Sequence, residues 1–234
     1  MPPELQTPAT PCLIAALSGL LESLDAGHWQ PDNTPGEFLA RDSHNHELRF
    51  QSGTYADSCE VRSVGIRSPK SEIINLFAYP LPHVAKPIFA LEYVRFGQRG
   101  IVAVVDMYPA LEGPGNLTYY SNLLKRTVVE YPQLSYSQEY PAWYAECRSG
   151  DDIFVRPDQT DEFGDLCELA AKLWASYLDG PQLRMSQSEL VLRHRESIQD
   201  YKRHHRLNSP GRKLLDKMFS ETWTDSFLKE HHFV

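Results

Sequence analysis

Residues 60–109 decide the fold: EVRSVGIR (60–67), SEIINLFAYP (71–80) and PIFALEYVRFGQRGIVAVVDMYP (87–109). They read as three consecutive strands, the last ending in a carboxylate. The run Ile101-Val102-Ala103-Val104-Val105 is apolar and mostly β-branched, which predicts a strand buried on both faces. Asp106 follows it directly. An ionised carboxylate at the end of a buried strand is costly unless it is paired, solvated or kept protonated. Asp106 is therefore the first candidate for chemistry, set against the bland reading of a strand-end Asp as a turn former.

Outward from this stretch, HELRFQSGTYADSCEVRSVGI (46–66) alternates well enough for a hairpin that turns near Ser52-Gly53. Residues 11–26 carry apolar side chains at spacings of three and four, the mark of an amphipathic helix. Helices are expected over about 117–129, over about 160–178 with Thr160 as N-cap, over Ser186–His205 and over 210–231, and a short strand at DDIFVRP (151–157). The sequence Asn208-Ser209-Pro210-Gly211 breaks the last two helical stretches. With strands in the middle and helices at both ends, the expected class is α/β. The chain is read as a single domain over 1–234, with a mostly antiparallel sheet flanked by helices.

Of 234 residues, 41% are hydrophobic and 11% aromatic, enough for a substantial core. No apolar run approaches the ~20 residues of a membrane span, and the N-terminus has neither a basic n-region nor an A-x-A site. A soluble cytoplasmic protein, a monomer, is expected. The four cysteines, Cys12, Cys59, Cys147 and Cys167, lie far apart and without ligand-like spacing to histidine. That argues against an iron–sulfur cluster, structural zinc or a disulfide framework, and leaves each as a small buried hydrophobe. Any electrons for redox chemistry must come from outside or from an organic cofactor.

The net charge of −8 hides a basic cluster from Arg193 to Lys217, opposed only by Glu196, Asp200 and Asp216. It suits an acidic partner or an anionic ligand, or else is a solvated helix face. No aromatic–basic stacking pattern accompanies it, which argues against nucleic acid. His204 and His205 read as part of this basic face, and nearby Cys or carboxylate partners at metal-ligand spacing are lacking.

Three stretches resemble the ferredoxin-dependent bilin reductases. The first is Pro69-x-Ser71-x-Ile73-x-Asn75 running to Tyr79-Pro80, then Pro87-x-Phe89 and the strand ending in Asp106. The second is Ile153-Phe154-Val155-Arg156-Pro157. The third is the block from Asn208 to Leu215, with Phe219, Trp223-Thr224 and Phe233. The resemblance implies an α/β/α sandwich that holds the linear tetrapyrrole biliverdin IXα between the sheet and the C-terminal helices. It implies no metal or other tightly bound cofactor, and single electrons from reduced ferredoxin. An acidic ferredoxin would be steered by the basic C-terminal region.

Carried over residue by residue, Asp106 matches the family's central sheet aspartate, a proton donor to the bilin. Asn75 matches a position that is histidine in the enzymes making phycocyanobilin and asparagine in branches making phycoerythrobilin; an amide orients groups but does not donate protons repeatedly. At Ser209 the chain departs from the family, which usually has aspartate after asparagine. Asn208, Ser209, a water or a nearby group must then serve in its place, or only one reduction occurs. Arg156 matches a propionate-binding arginine, with Arg212 and Lys213 as further candidates for the same carboxylates. Glu92 faces either the core or solvent depending on register.

The expected function is four-electron reduction of biliverdin IXα to phycoerythrobilin by radical, proton-coupled steps. The chain is similar in this to a phage and marine bacterial subgroup close to the phycocyanobilin-forming branch. Alternatives left open are a two-electron reductase giving or using a dihydrobiliverdin, a reductase of open-chain chlorophyll catabolites, and a bilin carrier without turnover.

Overall fold

The structure, a computed structural model, describes residues 19–21, 28–43, 46–96, 99–111, 115–156, 162–209 and 211–234. The helix expected over 11–26 falls outside these residues apart from a helical fragment at 19–21, and Thr160 and Cys12 also lie outside them.

The strands are β1 (Trp29–Pro31), β2 (Ala40–Ser43), β3 (His46–Tyr55), β4 (Cys59–Arg67), β5 (Ser71–Pro80), β6 (Val84–Ala85), β7 (Ile88–Phe96), β8 (Arg99–Tyr108), β9 (Ile153–Val155) and β10 (Leu183–Arg184). Eight of them form one sheet in the order β1-β3-β4-β5-β7-β8-β9, with β2 also paired to β3. All its pairings are antiparallel. β6 and β10 make a separate small ladder. The helices are α1 (Gly36–Leu39), α2 (Gly115–Glu130), α3 (Ala142–Ala145), α4 (Glu162–Asp179), α5 (Ser188–Asn208), α6 (Gly211–Met218) and α7 (Glu221–Phe227), the last running into a π-helical turn at Leu228–His232.

Two expectations of the sequence are corrected here. The segment 87–109 is a hairpin of two strands, β7 and β8, rather than one. The β3–β4 hairpin turns at Ala56-Asp57-Ser58, not at Ser52-Gly53, through which β3 runs unbroken. Ala56 and Asp57 adopt φ of 51° and 48°, the mirror-image turn that matches strand twist, although neither is glycine. The guanidinium of Arg184 donates to the side chain and the backbone carbonyl of Asp57 at 3.1 and 3.2 Å, which helps hold the strained turn. Gly53 serves a different need. A Cβ there would meet Gln30 O at 2.4 Å and the Trp29 ring at 2.7 Å, so the glycine admits β1 against β3.

Both faces of the sheet are covered, so the central strands are buried along nearly their whole length, as β5 shows. On one face, Ile74, Leu76 and Ala78 of β5 and Ala103, Val105 and Met107 of β8 pack with Leu123 and Leu124 of α2 and Leu169, Leu173 and Trp174 of α4. On the other, Ile73, Phe77 and Tyr79 meet the C-terminal helices through Ile198, Tyr201, Leu215, Trp223 and Phe227. This is the expected α/β/α sandwich, and period-two alternation assigns each strand residue to its layer.

The C-terminal layer is tied to the sheet by charges. Arg62 of β4 donates to His231 O at 2.5 Å, and buried Lys202 of α5 reaches Glu60 Oε2 at 3.1 Å and the Val234 carbonyl. His232 is buried among Phe227, Phe233 and Phe77, with no hydrogen-bond partner on either ring nitrogen. Burial pushes its pKa down to about 3, and that of His205 down to about 4. Each is neutral when folded but takes a proton in the unfolded chain near its ordinary value of 6.5, so this stability is present above pH 6.5 and lost as pH falls toward those lowered values. Urea unfolding at pH 5.5 instead of pH 7 is expected to cost about 1 kcal/mol per buried histidine, and His232→Phe should flatten its share of that slope.

Candidate functional site

The antiparallel register builds the site. Phe50, Val64, Asn75, Glu92, Val104 and Phe154 align in one row across β3, β4, β5, β7, β8 and β9. Two residues along each strand, Arg62, Phe77, Ala90 and Asp106 form the next row, and period-two alternation puts both rows on the face toward the C-terminal helices. Over the first row lies a cavity of about 270 Å³, partly open to solvent. Its walls are apolar and aromatic: Ile73, Val94, Val102 and Val104 from the sheet, Trp143 and Tyr144 of α3, Phe154 of β9 and Leu214 of α6. Asn75 and Glu92 are its polar groups from the sheet, and Ser209 and Gly211 approach from the break between α5 and α6.

Glu92, whose orientation the sequence left open, faces this cavity. Burial raises its carboxyl to about 7. Its Oε1 lies 3.7 Å from His205 Nε2 of α5. Asn75 stands opposite it on β5, with a buried Oδ1 that has no hydrogen-bond partner.

Asp106 is completely buried, and it sits beside the cavity rather than in its lining. Its Oδ1 accepts from Met107 N at 2.7 Å and its Oδ2 from Ser149 N at 2.9 Å. Burial pushes its pKa up to about 6, and the charge of Asp152 acts in the same direction. The Ser149 and Met107 donors pull the other way without cancelling the rise. Asp152 is itself held by Arg148 at 2.7 Å and Tyr144 Oη at 3.2 Å. The turn-former reading does not describe Asp106, which lies inside β8 and anchors the 147–149 segment to the sheet.

The remaining candidates are dispersed around the mouth. Ser209 lines the cavity and its Oγ accepts from Gly211 N at 3.3 Å. Asn208 is exposed and donates to His204 O at 3.0 Å. Arg156 is exposed next to cavity-lining Phe154, with its guanidinium carbon 5.5 Å from that ring's centroid and Nη2 on Glu139 O at 2.8 Å. Arg212 is engaged with Asp216 and Asp225. Lys213, exposed beside Leu214, has no ion-pair partner among the described residues.

The basic cluster is only partly a surface. His194, Lys202 and His205 turn inward and are buried, contrary to a solvated face. Arg193 pairs with Glu189 and Arg203 with Asp200 along α5 itself. His204 is half-buried, its Nε2 2.6 Å from Trp143 O. The sequence did not single out Trp143 and Tyr144, and it put His205 on the basic face, whereas the structure buries it. The spacing 194, 198, 201, 205 is a helical stripe through Ile198 and Tyr201 that would have turned both histidines inward.

The fold and cleft define a class: an α/β/α sandwich with an apolar cleft and buried carboxyls whose pKa values burial raises. Comparison with known proteins gives the family. The model of the ferredoxin-dependent bilin reductases matches residues 59–233, and the chain belongs to that family, whose members are oxidoreductases that reduce bilins with ferredoxin as electron donor. It is 27% identical to a phycocyanobilin:ferredoxin oxidoreductase of Synechococcus sp. (strain CC9605), over 97% of this chain and 93% of that protein. It is 24% identical to one of Prochlorococcus marinus (strain MIT 9515), over 70% of this chain and 66% of the other. The crystal structure of phytochromobilin synthase from tomato in complex with biliverdin superposes with a TM-score of 0.82. That match has 15% identity and covers 95% of this chain and 83% of the other, a likeness of fold.

If the cavity is where the bilin sits, Leu214→Trp on its helical wall should weaken bilin binding by about tenfold, ~1.4 kcal/mol, with the unfolding midpoint little changed. An absorbance titration with biliverdin reads the affinity.

Proposed function

We propose that this enzyme reduces biliverdin IXα by four electrons to phycoerythrobilin. The observation that carries the reading is the presence of two buried carboxyls, Glu92 and Asp106, on one sheet face, whose pKa values burial raises to about 7 and about 6. Each two-electron reduction of a bilin double bond consumes two electrons and two protons, so the full conversion takes four of each. Ferredoxin delivers electrons singly, which makes the intermediates radicals. A proton that arrives with its electron spares the apolar cleft a buried anion.

In this reading Asp106 protonates the bilin after the first electron transfer, and Glu92 serves a second position. Glu92 thereby supplies the acid that Ser209 cannot. Asn75, through its unpartnered Oδ1, orients a pyrrole N–H or a water. No histidine from the sheet lines the cavity among the described residues, which favours phycoerythrobilin over phycocyanobilin. Arg156 and Lys213, at the rim, pair with the two propionates.

Donors must start protonated, so turnover should fall as pH rises through the values of about 6 and about 7 at Asp106 and Glu92. The test is an anaerobic assay with biliverdin, reduced ferredoxin and a reducing system, with products separated by chromatography. Phycoerythrobilin is the expected product. Phycocyanobilin, a dihydrobiliverdin end product, or bound but unreduced biliverdin would each overturn the proposal. Asp106→Asn should keep bilin affinity while kcat drops by about 10²-fold or more, the scale of a lost general acid; normal turnover by that variant would remove Asp106 from the mechanism.

Acidic ferredoxin is proposed to dock on the basic region around exposed Arg195 and Lys217 and half-buried Arg206, which have no ion-pair partner among the described residues. The pair Arg206→Glu with Lys217→Glu should raise the KM for ferredoxin and flatten its dependence on ionic strength, while biliverdin affinity stays constant.

A further inference from the structure

His205 of α5 is 1% exposed, and no step above uses it. Its Nδ1 lies 3.1 Å from Tyr201 O, one turn back on the same helix, so Nδ1 carries the proton and donates it to that carbonyl. The tautomer leaves a lone pair on Nε2. That nitrogen faces Glu92 Oε1 at 3.7 Å and Cys147 Sγ at 3.9 Å. The imidazole is clamped in this orientation. It stacks on Tyr201 at 4.1 Å between centroids, and the Phe77 and Trp143 rings meet it edge-on at 5.6 and 5.8 Å.

We propose that His205 is a positioning residue for Glu92: its Nε2 lone pair faces the carboxyl from behind, keeps the proton on it and leaves it presented to the cavity between turnovers. The proposal rests on the reading of Glu92 as a proton donor. At 3.7 Å the contact is longer than a hydrogen bond and acts as an oriented dipole, its negative end toward the acid. A negative dipole end favours the neutral carboxylic acid over the carboxylate, the same direction in which burial already drives Glu92. Burial holds the imidazole itself neutral, so the proton of the pair resides on Glu92.

The other titratable groups around the ring leave this arrangement undisturbed. Burial raises the Cys147 thiol to about 12, pushes Tyr201 well above its ordinary range and lowers His232 to about 3, so all three are neutral at pH 7. His204 directs its Nε2 at Trp143 O. Beyond Cys147 and Tyr201 lies an open cleft of about 440 Å³ that also takes in Glu146, Arg193, Glu196 and Asp200. Without the imidazole, Glu92 loses its facing dipole and the wall behind it.

The experiment is the pH profile of kcat under anaerobic conditions with saturating ferredoxin and biliverdin, for the wild type, His205→Leu, His205→Gln and Glu92→Gln, with biliverdin affinity measured alongside. Leucine fills similar space without an acceptor. It should move the alkaline limb down by about one pH unit, and at pH 7 lower kcat about fivefold, since fewer molecules then hold the proton. Biliverdin affinity should stay within about twofold, under ~0.5 kcal/mol. Glutamine, whose side-chain carbonyl can replace the acceptor, should restore the limb toward the wild-type position. If His205→Leu fails to fold, His205→Met carries the same expectation. An unmoved limb in a folded Leu or Met variant overturns the role of His205. Glu92→Gln separates the two levels of the argument. Loss of turnover there, with no response of the limb to His205→Leu, sinks the positioning role alone, whereas full turnover with the limb intact sinks Glu92 as donor and the inference with it.

Discussion

Desolvation of carboxyls on one face of an antiparallel sheet is the constraint on which the rest of this structure depends. Burying an acid in an apolar layer is unfavourable for its charged form, and the molecule accepts that cost at Glu92 and Asp106 instead of pairing them away with cations. The consequence is chemical. Each group keeps a proton to higher pH than an exposed carboxyl does, Glu92 to about 7 and Asp106 to about 6. The two differ in their remaining contacts. Asp106 is fixed by two backbone amides, whereas Glu92 faces an apolar cavity with a neutral imidazole behind it. The fold thus holds two buried acids at separate positions on one sheet face.

The sheet provides this arrangement because its register is fixed from both sides. A slip of one residue in β5 or β7 would send Asn75 or Glu92 into the layer packed by α2 and α4, and bring Leu76 or Leu91 to the cleft. The apolar runs on either face make such a slip costly. The opposite wall is made by the C-terminal helices, which are held down by Arg62 and Lys202 from beneath and by a buried tail. Burying that tail costs something too: His232 is enclosed with both nitrogens unsatisfied.

Much of this was legible in the chain. The apolar, β-branched run before Asp106 is a local signal, and it placed a buried strand there, although 87–109 proved to be two strands. The family motifs extended that reading to the C-terminal helices. What escaped depends on contacts far apart in sequence. Ser52-Gly53 looks like a turn, but the glycine answers to Trp29 and Gln30 on a neighbouring strand, while the actual turn at Ala56-Asp57 contains no glycine to announce it. Counting charges between Arg193 and Lys217 gave a basic face, yet the helical period buries His194, Lys202 and His205 and leaves several arginines paired along their own helices. Glu92 could be placed only once the pairing of β5 with β7 was known.

Glu92 and Asp106 therefore both carry protons in the resting enzyme at mildly acidic pH, Glu92 the more fully. Infrared difference spectroscopy of the biliverdin complex at pH 6 measures it directly, comparing wild type with Glu92→Gln and with Asp106→Asn in the carboxylic-acid carbonyl region. The account predicts a protonated-carboxyl band that disappears in Glu92→Gln, and a second, weaker band that disappears in Asp106→Asn and fades between pH 6 and pH 8. Spectra in which both groups absorb only as carboxylates at pH 6 would contradict it.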